Sequence, residues 1–187
     1  MGQLYLALAH YPVLNRMGDT IASAITNLDL HDLARSCCTF GVQACYIVTP
    51  LKDQQALAGR LTKHWIEGVG GEILPERRQA LKLLKVVDSL SSAIEDVVRR
   101  DGNTPIVWAT TAKGGHNSLA HRHARRLLEN EDRSFLLILG TGWGLAPEIF
   151  DSVDAVLEPI AGVNGYNHLP VRSAASILMD RLLGRPI

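Results

Sequence analysis

The stretch FLLILGTGWGLA, residues 135–146, decides the fold. Five apolar residues run directly into glycines at 140, 142 and 144. An unbroken apolar run of that length reads as a strand buried on both faces. The glycines allow dihedrals closed to other residues and let the backbone approach a ligand. A second short strand within VDAVLEPI, 153–160, ends at Glu158 and Pro159. GYNHLPVRSAASILMDRLL, 165–183, supplies a crowded polar loop and a closing amphipathic helix. In an α/β protein the carboxyl ends of strands are where ligands sit. The tail therefore reads as a small-molecule cofactor site built from backbone loops.

Outward from that stretch the same alternation recurs. Apolar strands are expected at Leu4–Ala9, Ala44–Val48, Leu83–Val87, Ile106–Ala109, Phe135–Leu139 and Ala155–Leu157. Helices are expected over 29–39, 54–66, from Ser89 or Ser91 to Val98, 119–128 and 171–183, the last with Pro170 in its first turn. In the first, Leu30, Leu33, Ala34 and Cys37 make one apolar face, with Gly41 as its stop. Ile94 and Val98 are expected inward in the third; Ala174, Ala175, Leu178 and Leu182 are expected inward in the last. Residues 11–27 read as a long loop, and 68–75 as a flexible connection ahead of a basic run, Arg77, Arg78, Lys82 and Lys85. Repeated βα units predict a three-layer α/β/α domain with a mostly parallel sheet, and no linker or repeat divides residues 1–187.

Composition bounds the function classes. The chain has 187 residues, 47% hydrophobic and 20% charged, with formal net charge +0. That excludes a disordered or bare charged chain, and makes nonspecific attraction to nucleic acid weak overall. No secretory leader or membrane span is expected. The three cysteines, Cys37, Cys38 and Cys45, fit reduced thiols in a cytoplasmic protein.

Several constellations carry chemistry. Gly140, Thr141, Gly142 and Gly144 do not form the dinucleotide fingerprint or a phosphate loop, since the glycine spacing is wrong and no Gly-Lys-Ser/Thr follows. Glu158, at a strand end, reads equally as an acceptor for a ligand hydroxyl and as an acceptor for backbone N–H groups in a turn. Tyr166, Asn167, His168, Leu169 and Val171 lead into a helix start, where backbone donors favour an anion. Asn27, Asp29, His31, Asp32 and Arg35 cluster around the first helix, with His31 and Arg35 on one face. His10 and Tyr11 sit at the end of the first strand. Thr110, Thr111, Lys113, Gly114 and Gly115 lie just past the fourth. His116, His121 and His123 do not converge as metal ligands; with Arg122, Arg125 and Arg126 they read as a basic solvated face or an RNA-backbone contact.

The tail GTGWGLAPEI, LEPI and YNHLPVRSAASILMDRL resembles the SPOUT class of S-adenosylmethionine-dependent RNA methyltransferases. The opening LYLALAHYPV and TNLDLHDLARSCCTFGV is similar to a small stand-alone bacterial branch related to the C-terminal part of guanine-N1 tRNA methyltransferases. The resemblance implies a C-terminal trefoil knot, a homodimer, a tRNA or rRNA substrate and no metal. It implies cofactor contacts from Thr110, Thr111, Gly140, Thr141, Gly142, Gly144, Leu157, Glu158, Ile160, Tyr166, Asn167, His168, Leu169 and Val171. It places Asn27 and Arg35 at the target nucleotide, with His10, His31 and Asp29 as candidate bases. The arginines and lysines at 77, 78, 82, 122, 125 and 126 would form one RNA patch. A core this small and neutral would lean on a dimer or a protein partner for RNA affinity. The rival expectation is a cofactor-binding module or interaction protein without catalysis.

Overall fold

The computed structural model describes residues 2–113 and 118–185. Along the chain run β1 (Gln3–Ala9), β2 (Val13–Leu14), β3 (Thr20–Ile21), α1 (Asn27–Phe40), β4 (Cys45–Val48), α2 (Lys52–Ile66), α3 (Val69–Ile73) and α4 (Pro75–Leu81). Then come β5 (Leu84–Val87), α5 (Leu90–Asp101), β6 (Ile106–Ala109), α6 (His121–Asn130), β7 (Ser134–Gly140), α7 (Pro147–Phe150), β8 (Ala155–Val156) and α8 (Val171–Leu183). Six strands form one sheet in the order β5-β4-β1-β7-β6-β8. Every pairing in it is parallel. β1 is central because it is apolar after Gln3: Leu4 to Ala9 are all buried, pairing with β4 on one side and β7 on the other.

Alternate side chains of the strands feed two cores. Leu4, Leu6, Leu8, Leu137 and Leu139 pack with α1, α2, α6 and α8 on one face. Tyr5, Ala7, Ala9, Leu136 and Ile138 pack with α5 and α7 on the other. Each fully buried leucine contributes about 1.5–3 kcal/mol of apolar transfer. Helix starts follow local chemistry. The Thr26 hydroxyl accepts the Asp29 amide at 3.1 Å and donates to the Asp29 carboxylate at 2.6 Å, fixing the entry of α1.

Four expectations are corrected. The loop 11–27 contains the two-residue hairpin β2–β3. The connection after α2 is helical: α3 and α4 fold there, because Gly70 and Gly71 let the chain press onto Trp65, where an added Cβ at Gly70 would meet the ring at 2.8 Å. In α5 the fully buried positions are Ala93 and Val97; Ile94 packs half-buried against the second core, whereas Val98 is half-buried and does not join that cluster. In α8, Met179 rather than Ala174 completes the buried face.

The second core carries one strong polar anchor. The Asp96 carboxylate accepts from Tyr46 Oη at 2.9 Å, Lys85 Nζ at 3.0 Å and Arg100 Nε at 2.9 Å. Burial pushes this acid up, but the donors from Lys85, Tyr46 and Arg100 outweigh it and hold the pKa at about 2. The folded value lies below the unfolded one. The contribution, about 2 kcal/mol, is thus present above pH ~4 and lost as pH falls through about 2. Asp96→Ala is expected to lower unfolding free energy by about 2–4 kcal/mol at neutral pH, because the buried Tyr46 hydroxyl loses its acceptor. Urea melts at pH 7 and pH 2.5 check this: the gap between variant and parent should shrink at the lower pH.

Candidate functional site

Parallel strands bring all their carboxyl ends to one edge, and four of the sequence-singled segments meet there. Thr110, past β6, donates through its backbone N–H and hydroxyl to the Ile138 carbonyl of β7, at 3.0 and 3.1 Å. Leu157, past β8, is fully buried and donates to the Ala109 carbonyl at 2.9 Å. The Asn167 side-chain amide reaches back to the Ala112 carbonyl at 2.7 Å, tying the tail loop to the β6 end. Ile160 and Val171 pack half-buried against the first core, while Tyr166 and His168 meet edge to face at 5.2 Å. Gly114, Gly115 and His116 lie outside the described residues.

The glycine turn is braced from below. Thr141 donates its hydroxyl to the Ala9 carbonyl at 3.1 Å. The Ser23 hydroxyl lies 2.5 Å from Thr141 Oγ1, and His10 Nδ1 lies 3.0 Å from Ser23 Oγ. With His10 Nδ1 as donor and Ser23 donating to Thr141, one chain of donors serves both hydroxyls, while His10 Nε2 has no hydrogen-bond partner among the described residues. Ser23 was not singled out in the sequence, since a lone serine in a loop carries no signal. Gly142 has φ +59°, and an added Cβ would meet the Leu14 carbonyl of the hairpin at 2.8 Å. Its glycine requirement thus comes from the left-handed backbone and from the hairpin together. Gly144 has φ +104° with open space where a side chain would stand. Gly142→Val is expected to lower stability by about 1–3 kcal/mol through left-handed strain and the Leu14 contact, and to weaken ligand binding by shifting the turn. Thermal melts with and without ligand test it; an unchanged melting temperature would show that the turn tolerates a side chain.

Ten successive tail residues, 160–169, form no backbone-to-backbone hydrogen bond among the described residues. The Tyr166 amide donates to Asn164 Oδ1 at 3.3 Å; the other amides and the carbonyls, together with the open side of Gly144, face no such partner among the described residues and can serve a polar ligand. Tyr166 is 69% exposed and Leu169 44%, which adds apolar surface beside them.

Around α1 the structure separates structural from available groups. Asp29 is buried, accepting from Thr26 and from Arg172 Nη1 at 3.1 Å; Arg172 Nε also reaches Asp32 at 3.1 Å. This clamp joins the first turns of α1 and α8. His10 is fully buried and its ring is engaged by Ser23; burial lowers its pKa. His10 and Asp29 are therefore corrected from candidate bases to supports, since neither can meet an acceptor on the surface. His31 remains half-buried, edge-on to Trp65 at 5.4 Å. Its pKa is lowered first by burial, then by the field of Arg77, with Arg35 adding to it and Asp32 opposing. Asn27 and Arg35 are exposed on the same side, at i and i+8 with His31 between.

Glu158 Oε1 accepts the His121 backbone N–H at 2.9 Å, so one oxygen caps α6. His121 is buried, not part of a solvated face; its Nδ1 lies 3.1 Å from Glu158 Oε1 and 3.1 Å from Arg181 Nη1. Burial and then Arg181 lower its pKa, with Glu158 opposing. Arg125 is taken by Glu129 at 2.8 Å. The single RNA patch is also corrected: α4 packs on α1, α2 and α3, whereas α6 packs on α8, so the basic residues at 77–82 and 122–126 occupy opposite ends of the helical layer. Among the described residues no cluster of metal-binding side chains forms, and no helix is long and apolar enough to cross a membrane.

The model of a family described as SAM-dependent RNA methyltransferase matches residues 3–184. A tRNA (guanine-N(1)-)-methyltransferase of Nitratidesulfovibrio vulgaris is 48% identical over 181 residues, covering 97% of this chain and 42% of that protein. The chain thus spans less than half the length of that relative. An uncharacterized protein of Aquifex aeolicus is 33% identical over 182 residues, covering 97% of this chain and 89% of its own length. Among solved structures, a methylase-family protein of Neisseria gonorrhoeae superposes with a TM-score of 0.67 at 17% identity, over 98% of this chain and 83% of that one, a likeness of fold.

Proposed function

The chain belongs to the SPOUT-class family of S-adenosylmethionine-dependent RNA methyltransferases, and from that premise we propose that it methylates a nucleotide of tRNA at the strand-end site. The observation that carries the reading is the convergence of the β6, β7 and β8 ends on a tail loop, residues 160–169, that forms no backbone-to-backbone hydrogen bond among the described residues. Such a loop fits S-adenosylmethionine, whose adenine edge and carboxylate are read by backbone donors and acceptors. Thr110, Thr111, Gly140, Thr141, Gly142, Gly144, Leu157, Glu158, Ile160 and the 166–171 segment would hold it. The bound cofactor supplies an already activated methyl on a sulfonium.

This chain's residues then have three tasks. Asn27 orients the acceptor nucleotide at the start of α1. His31, kept neutral by burial and by Arg77, takes the proton, a role worth about 10²–10⁴ in rate. Arg35 holds a phosphate and so fixes the approach. We further propose one catalytic domain over residues 1–187, a cytoplasmic homodimer, and a C-terminal segment threaded through a loop as a trefoil knot. The bridge between Leu119 and Leu157 and the Asn167–Ala112 contact support that threading. The longer relative favours a second reading, in which this chain is a cofactor-binding module whose RNA affinity comes from a partner protein.

Calorimetry with S-adenosylmethionine and transfer of tritiated methyl to unmodified tRNA transcripts separate these readings. Micromolar binding with transfer is the expected result. Binding without transfer to tRNA or rRNA would leave the module; no binding at millimolar donor would end both.

A further inference from the structure

The segment α3–α4 builds a cleft of about 300 Å³ against α1, and its lining includes Arg35, Thr39, Leu74, Glu76, Arg77 and Gln79. It lies on the helical layer, away from the glycine turn. Two guanidinium groups line it against one carboxylate. Arg35 and Arg77 form no ion pair among the described residues, although Glu76 is beside them.

Arg77 is held in place. Its Cζ sits 4.8 Å over the Trp65 ring, and that ring is fixed edge-on by His31 at 5.4 Å and His64 at 5.2 Å. A guanidinium stacked this way keeps its N–H edges free for a planar or tetrahedral anion and loses little freedom on binding. Val69 and Ile73 stand 63% and 71% exposed on α3, apolar surface suited to an unstacked base. Asn27, His31 and Arg35 follow one another along α1 at four-residue steps, so the cleft begins about 12 Å from the helix start.

We propose that the α1–α4 cleft is an RNA-backbone site, in which Arg35 and Arg77 together hold a phosphate of the strand whose acceptor nucleotide lies at the start of α1. The inference rests on the proposed RNA methyltransferase activity and adds where the substrate strand runs. The thiol Cys38, the Thr39 hydroxyl and the Gln79 amide complete a polar wall. The combined field of Arg77 and Arg35 already registers on His31.

The test is fluorescence anisotropy of the full chain with an unmodified tRNA transcript, across roughly 50–200 mM salt. Arg77→Gln is expected to weaken RNA binding about 3- to 10-fold and to reduce the slope of log affinity against log salt by about 0.7–0.9. Gln79→Glu, which leaves the Trp65 stack intact, should weaken binding in the same range by opposing the phosphate. Arg99→Gln removes the same charge from α5 on the other face of the sheet, and should change neither quantity. Calorimetry with S-adenosylmethionine should give parental affinity for all three. If Arg77→Gln and Gln79→Glu both behave as Arg99→Gln does, the site is overturned. A parent chain that binds no S-adenosylmethionine defeats the methyltransferase reading instead, and the RNA titration still reports on the cleft.

Discussion

Arg35→Ala should lower kcat/KM for tRNA by roughly 30- to 150-fold while the affinity for S-adenosylmethionine stays within about twofold. The magnitude follows from one lost charge-assisted hydrogen-bond pair to phosphate, about 2–3 kcal/mol. Arg35 is exposed and has no carboxylate partner among the described residues, so its removal leaves no buried charge behind. The loss should therefore fall on catalysis and RNA binding and spare the melting temperature. Arg35→Lys should recover only part, because an ammonium keeps the charge without the fork. Steady-state methyl transfer with tRNA varied, beside calorimetry, makes the distinction. Parallel loss of donor affinity and of stability would show instead that Arg35 holds α1 in place.

Arg172→Met should do the reverse. Its guanidinium pairs with Asp29 and Asp32 at 3.1 Å each, and the Asp29 side chain is only 9% exposed. Removing one partner leaves a buried carboxylate with the Thr26 hydroxyl but no counter-charge, which costs about 3–5 kcal/mol. For a chain of this size that lowers the melting temperature by roughly 6–20 °C. The double variant Asp29→Asn with Arg172→Met should regain a good part, since the uncompensated charge is gone. Donor binding should weaken in the single variant as well, because the clamp fixes the first turn of α8 directly after the tail loop. Thermal melts of the two variants settle this: equal losses in single and double would mean that the ion pair does not carry the junction of α1 and α8.

Much of the strand-end site was legible because its signals are local. Glycines at 140, 142 and 144 after a buried run could only follow a strand and turn sharply. Gly142 shows the limit of that reading: its dihedral was foreseeable, but a second reason for glycine, the Leu14 carbonyl of a hairpin 128 residues earlier in the chain, was not. His121 shows another. Flanked by Arg122 and His123, it reads as solvated, yet its helical phase turns it inward onto Glu158 and Arg181. The basic run at 77–82 was visible, but not that Gly70 and Gly71 fold the preceding connection onto Trp65 and give Arg77 its platform.

By itself the sequence determined six apolar strands, the helices between them and the apolar face of α1, because residue preferences act over a few positions along one backbone. Only the tertiary structure decided the order β5-β4-β1-β7-β6-β8 and which loops therefore share an edge. It alone made Asp29 a partner of Arg172, 143 positions away, and buried His10 where sequence left it beside the site. Burial and charge pairing depend on what the rest of the chain packs against a residue, and no window of neighbours contains that.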